Sequence, residues 1–405
     1  MDCTVADSYN NGVGQMNVLF VNAIKNLPVQ KSYYPLSFGY LVSYCRKHGV
    51  AFDSVYSEAM SYNILGQVKP DIVAFSCITE NFNLCKKYAR TVKQFNPKIK
   101  VLLGGVHVSA VPESISKDFD VGIIGEGEQT FLELARNDFV PDRKIAGLYF
   151  DGIKTGDRDL VEPLDNIPHP DRSIYGLGTR PSYVFTSRGC SYRCKFCSSS
   201  RFWKKVRFHS PEYVAEELLQ LKNMGVRQVN IYDDTFLLSL ERVKAIRDLV
   251  KNYGLSYTIA ARANQISDEA IITIKDIGVI KIGMGLESNS PKVLAWLEKG
   301  NTPEINQKAV DLLRKHSLPF HASFIRDVPM ESKADLKLTY DFIKLNKISF
   351  DMYRLMLFPN TPIYQGSLDW DSCKIHLYRQ GLLKSWVKRV YRKVSFAAKQ
   401  MQGAK

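Results

Sequence analysis

Short, nearly continuous apolar runs alternate with amphipathic stretches along most of the chain. Val18-Leu19-Phe20-Val21, Ile72-Val73-Ala74-Phe75, Val101-Leu102-Leu103 and Val121-Gly122-Ile123-Ile124 carry no polar side chain, which is how strands covered on both faces read. Residues 35–47, 83–95 and 129–135 place apolar side chains at helical spacing between or after those runs. Strand and helix in alternation predict a Rossmann-like, doubly wound parallel sheet over residues 16–140. Residues 141–174 are richer in Pro, Asp and Gly, and the stretch 163–170 cannot hold a helix, so they predict an extended linker with His169 on its surface.

The beat resumes after the linker. Residues 211–223 predict a helix with Ser210 as N-cap, Pro211 in its first turn and Gly225 as its stop. Strands follow at 227–232, 256–261, 279–286, 319–325 and 350–357, with helices at 240–253, 268–276, 291–296 and 302–316. That repeat predicts a partial (β/α)6, TIM-like barrel over residues 175–370, with chemistry gathered where its strands end. The fold class is therefore α/β in both halves.

Composition changes this picture little. Of 405 residues, 45% are hydrophobic and 24% charged, which describes a globular chain, and no uncharged apolar run reaches membrane-spanning length. The formal net charge is +14, yet nine Lys and Arg with no acidic residue fall in residues 373–405. The basic balance is thus largely a property of the tail and does not mark a nucleic-acid binder. Within 371–405 a basic amphipathic helix is expected, able to dock on the protein itself, on an anionic membrane or on an acidic partner. Residues 1–15 read as a polar leader outside the first domain. Scattered cysteines and no secretory leader set the expectation of a reducing, cytoplasmic location.

Candidate chemistry is concentrated in Cys190-Ser191-Tyr192-Arg193-Cys194-Lys195-Phe196-Cys197, a C-x3-C-x2-C run. Three soft thiolates on one loop suit an iron-sulfur cluster with one iron left for a small chelating molecule. A structural zinc site wants four ligands in pairs, and no second pair lies nearby. The run, with Phe196 before its last cysteine, resembles the signature of radical S-adenosylmethionine (SAM) enzymes. The stretches 34–41, 69–76, 104–113 and 125–128 in turn resemble the cobalamin-binding domain fused to many of them.

The resemblance implies a 4Fe-4S cluster on Cys190, Cys194 and Cys197, with SAM and cobalamin as further cofactors. It implies SAM contacts from Phe196, Tyr232, Asp233, Asp234, Arg262 and Glu287, and cobalamin contacts from Ser76, Thr79, Gly104, Gly105, His107, Gly125 and Glu126. His107 lacks the D-x-H-x-x-G setting of a cobalt-ligating histidine, which leaves loop packing or a hydrogen bond as its expected role. Arg326-Asp327 stands where relatives carry a glycine-rich turn, so these two either pair with each other or face substrate. The implied activity is methylation of an unactivated carbon of a small molecule, lipid or peptide, driven by a reducing protein such as flavodoxin or ferredoxin. An oxidative cyclisation or rearrangement without methyl transfer, and a non-catalytic iron-sulfur protein, are the alternatives.

Overall fold

The computed structural model describes residues 16–24, 34–176 and 182–364. The leader expected at 1–15 and the basic helix expected within 371–405 lie outside the described residues.

The first sheet has seven strands in the order β2-β1-β3-β4-β5-β6-β7. Its strands are β1 (Asn17–Val21), β2 (Asp53–Ser57), β3 (Ile72–Ser76), β4 (Lys100–Gly104), β5 (Val121–Ile123), β6 (Leu148–Phe150) and β7 (Ile153–Lys154). β1 to β5 run parallel, and the β6-β7 hairpin closes the edge antiparallel. Between them lie α1 (Leu36–Lys47), α2 (Tyr62–Val68), α3 (Phe82–Phe95), α4 (Val106–Ala110) and α5 (Glu128–Arg136). Alternation along β1 divides the core. Val18 and Phe20 pack with α1 and α5 on one face, while Leu19 and Val21 pack with α2 and α3 on the other. This is the doubly wound arrangement expected.

The second sheet is parallel throughout, six strands in the order β15-β14-β13-β12-β11-β8. They are β8 (Ser182–Val184), β11 (Gln228–Ile231), β12 (Ser256–Ala261), β13 (Val279–Glu287), β14 (Phe320–Arg326) and β15 (Phe350–Arg354). A separate ribbon pairs β9 (Ser187–Arg188) with β10 (Arg207–Phe208). The helices are α6 (Ser199–Trp203), α7 (Pro211–Asn223), α8 (Leu240–Val250), α9 (Asp268–Ile277), α10 (Pro291–Trp296), α11 (Pro303–Lys315) and α12 (Lys333–Leu345). Ser210 caps α7 as expected, accepting from Tyr213 N. Ile231, Ile259, Ile282 and Phe324 bury one face of the sheet against helices including α7, α8 and α9.

The linker departs from its expected extended form. Residues 148–154 form the β6-β7 hairpin of the first sheet, turning on Asp151-Gly152, both in the left-handed region at φ +49° and +75°. His169 is half-buried rather than on the surface: its Nε2 lies 3.0 Å from Tyr213 O and its ring packs on Tyr213. Arg172 near the linker's end, with Tyr175 and Tyr183 beyond it, ties the two halves together. Tyr175 OH accepts from Gly39 N at 2.9 Å, Arg172 pairs with Glu217 at 2.7 Å with both side chains buried, and Tyr183 OH accepts from Leu36 N at 3.1 Å.

Candidate active site

Between the carboxyl ends of the two sheets lies a cavity of about 340 Å³. The first sheet supplies Ser76 at the end of β3, Gly104 and Gly105 at the end of β4, and Gly125 and Glu126 after β5. The second sheet and the ribbon beside it supply Tyr183, Phe185, Arg188, Tyr232 and Asp234. Gly105 adopts φ +110°, and a Cβ there would stand 2.4 Å from Cys77 O. Only glycine lets the β4 end approach the β3 end so closely. Ile78, Val106 and Tyr232 border the cavity and stay 39%, 37% and 45% exposed. Large apolar side chains left at a concave mouth suit a flat, bulky ligand such as a corrin.

Two of the candidate cobalamin residues do not line this cavity. His107 is fully buried, its Nδ1 3.2 Å from Thr79 Oγ1 and its ring 4.2 Å from that of Phe82. Burial lowers its pKa to about 4, so it is a neutral packing group. Thr79 is likewise occupied by His107. Glu126 lines the cavity, but its carboxylate is engaged. It accepts from Arg188 Nη1 at 2.5 Å, from Arg207 Nη1 and Nη2 at 2.9 and 2.7 Å, and from Val161 N at 3.1 Å. Burial would raise this carboxyl; the guanidiniums of Arg188 and Arg207 outweigh it and hold the group below the usual range. Glu128 takes the other end of Arg188 at 2.8 Å. The acids of Gly125-Glu126-Gly127-Glu128 thus join the first sheet to the ribbon that leads into Cys190.

The cysteine run follows β9 directly. Cys194 is buried, Cys190 and Cys197 are half-buried, and burial pushes the thiols of Cys190 and Cys197 up. Among the described residues no group of His, Cys, Asp or Glu is drawn close enough to hold a single metal ion. The three thiols come from one eight-residue loop, the donor set that an iron-sulfur cluster with one iron open to a small chelating ligand calls for.

Each strand end reaches this loop in a different way. Asp233 does so structurally: its carboxylate accepts from Thr186 N, Thr186 Oγ1, Ser187 N and Ser187 Oγ at 2.6, 2.5, 3.1 and 2.7 Å. With those acceptors filled it braces the β8-β9 turn. Tyr232 and Asp234 flank it and face the cavity. Asp234, exposed at the cavity wall, accepts from Ser199 Oγ at 2.6 Å just past the last cysteine, and partial desolvation by the surrounding protein pushes its carboxyl up. Arg262 Nη1 donates to Cys194 Sγ at 3.3 Å while its guanidinium lies 3.7 Å from the Tyr192 ring centroid. A second contact runs from Arg262 Nη2 to Lys299 O. Glu287, at φ +62°, is paired through Oε1 with buried Lys299 Nζ at 2.9 Å. Phe196 packs against Val293, Leu297, Ile325 and Val328, beneath the loop.

The Arg326-Asp327 turn differs from the expectation that the two residues pair with each other. Asp327 pairs with Arg354 Nε at 2.8 Å instead of with Arg326, because β14 and β15 set Arg326 and Arg354 side by side. Sequence reasoning missed Arg188, Arg207, Ser199 and Lys299. Arg188 carried a signal, since it stands two residues before the first cysteine; Lys299, distant from every motif, carried none.

Residues 184–343 match the model of the Radical SAM superfamily, and residues 27–135 that of the B12 binding domain. An uncharacterized methyltransferase of Pyrococcus horikoshii is 31% identical over 83% of this chain and 78% of its own. The chain belongs to the cobalamin-dependent radical SAM enzymes. Membership brings a 4Fe-4S cluster, SAM and cobalamin as cofactors. An anaerobic magnesium-protoporphyrin IX monomethyl ester cyclase of Rubrivivax gelatinosus is 26% identical over 76% of this chain and 61% of its own. Among solved structures, the radical SAM methyltransferase TsrM from Kitasatospora setae superposes with a TM-score of 0.71 at 18% identity, covering 86% of this chain and 74% of that one. That likeness gives the two-sheet fold for this radical SAM enzyme. No helix among the described residues is long and apolar enough to cross a membrane.

Proposed function

We propose that the chain methylates an unactivated carbon of a small molecule, lipid or peptide. The observation that carries this reading is the shared cavity: the ends of both sheets border it, and Asp234 links its wall to the cysteine run. When bound, the cluster and SAM supply a 5′-deoxyadenosyl radical that takes hydrogen from the substrate, and cobalamin supplies the methyl group. Cys190, Cys194 and Cys197 hold the cluster. Tyr232 and Asp234 approach the SAM amino group, Arg262 its carboxylate, and Glu287, oriented by Lys299, its ribose. Ser76, Gly104, Gly105 and Gly125 border the corrin, while Thr79, His107, Glu126 and Asp233 build the walls that position them. The electron comes from a reducing protein such as a flavodoxin or ferredoxin.

The test is anaerobic reconstitution with iron, sulfide and hydroxocobalamin, followed by SAM carrying a deuterated methyl group. Reductive release of 5′-deoxyadenosine and labelled methyl on the recovered cobalamin are expected. Deoxyadenosine without methyl label in cobalamin or product would sink methyl transfer and favour a cyclase-like outcome, as named for the Rubrivivax relative. Cys194→Ala should abolish the visible absorbance of the cluster; an unchanged spectrum would overturn the ligand assignment.

A further inference from the structure

A second depression, of about 500 Å³, opens beside the cysteine run and shares no lining residue with the cavity. Its lining includes Cys190 together with Arg193, Arg201, Lys204 and Lys205, and no acidic residue. Arg193, Lys204 and Lys205 are exposed. Arg201 instead turns inward, its Nη1 donating to Cys197 O at 2.7 Å and to Cys194 O at 3.2 Å, which fixes the basic wall to the cysteine loop.

Two acids stand near its rim. Lys204 Nζ is 3.7 Å from Asp157 Oδ2 and Lys205 Nζ is 2.7 Å from Glu162 Oε2, both pairs exposed. Such pairs are weak and leave a lysine free to be shared with an incoming charge. Arg193 makes no ion pair among the described residues. The concave wall is therefore net positive, and one cysteine of the run forms part of it.

Charge alone would suit any polyanion; Cys190 in the lining decides between them. An electron must reach the cluster from outside, tunnelling falls off steeply with distance, and here a residue that would ligate the cluster lines a basic hollow. We propose that this depression docks an acidic protein carrying a low-potential one-electron cofactor, which reduces the cluster from the Cys190 side. One electron leaves the donor, oxidising it by one unit, and reduces the cluster by one; no bond to either protein forms or breaks. The inference rests on the cluster assignment under Proposed function, and its test separates the two.

The test uses the reconstituted protein and a reduced, acidic flavodoxin, with bleaching of the cluster absorbance followed by stopped flow. The variants are Arg193→Glu and Lys204→Asn; Asn suits the left-handed backbone at residue 204, φ +61°. At low ionic strength each variant should be reduced about tenfold more slowly by flavodoxin. The difference should shrink as salt is raised. Reduction by dithionite, which needs no docking surface, should be unchanged. Equal flavodoxin rates in variants and unaltered protein, or an equal slowing with dithionite, would overturn the proposal. So would anionic vesicles that bind the unaltered protein but not the variants while donor kinetics stay the same. If the unaltered protein assembles no cluster absorbance at all, the ligand assignment falls first and this proposal with it.

Discussion

His107 illustrates how little a residue type says before its surroundings are known. A histidine following two glycines at a strand end is a natural candidate for a cofactor ligand, yet it is enclosed between Thr79 and Phe82. Its burial has a measurable consequence. With a folded pKa of about 4 against an ordinary 6.5, the unfolded chain takes up the proton first as pH falls. The stability His107 contributes is present above pH 6.5 and is lost as pH drops from there toward 4, by about 3 kcal/mol in all. Urea unfolding of His107→Gln across that range should show a total acid-side loss of stability smaller by about that amount. An unchanged loss would mean that the ring is protonated in the fold. Asp233 was legible in principle. With Val229 and Ile231 in the core, alternation carries Asp233 toward the same inner side and leaves Tyr232 and Asp234 for the cavity. What the sequence did not disclose is the set of four donors from Thr186 and Ser187, because β8 and β11 are brought together only by the sheet.

At the level of elements, the strands with apolar side chains on both faces were legible and the mixed ones were not. β2 reads Asp-Ser-Val-Tyr-Ser, an edge strand that is mostly half-buried, and offers no apolar run to detect. The β6-β7 hairpin did offer a signal, Asp-Gly between apolar flanks, but lay inside a stretch rich in turn-forming residues. Both matter to the site, since the hairpin extends the sheet whose β5-α5 turn presents Glu126 and Glu128. That turn and the β9-β10 ribbon enclose Glu126, Glu128, Arg188 and Arg207, every side chain no more than 7% exposed. Removing one charge strands the others in a poorly hydrated place. Glu126→Gln should therefore cost about 3–5 kcal/mol in denaturant unfolding. Glu162→Gln, which loses only the exposed pair to Lys205, should cost less than about 1 kcal/mol. Similar costs for the two would show that solvent reaches the buried group.

The molecule as a whole is organised so that neither sheet encloses the cavity alone. Gly104, Gly105 and Gly125 come from one, Tyr183, Phe185 and Tyr232 from the other, and the Tyr175, Arg172 and Arg188 contacts hold the two sets at a fixed separation. A ligand that fills this space contacts groups from both halves and so stabilises both. Hydroxocobalamin at about a hundred times its dissociation constant should add about 2.7 kcal/mol to unfolding. The buried contacts between the halves make a single shared transition the expected response in calorimetry. Hydrogen exchange locates the effect. Protection should rise at the ends of β3 and β4 and also beyond β11, around Tyr232, although these amides are far apart in the chain. Protection confined to the first sheet, or two transitions of which only one moves, would mean that cobalamin seats within the first domain without touching the second. The radical and the methyl group would then have no common space in which to meet the substrate.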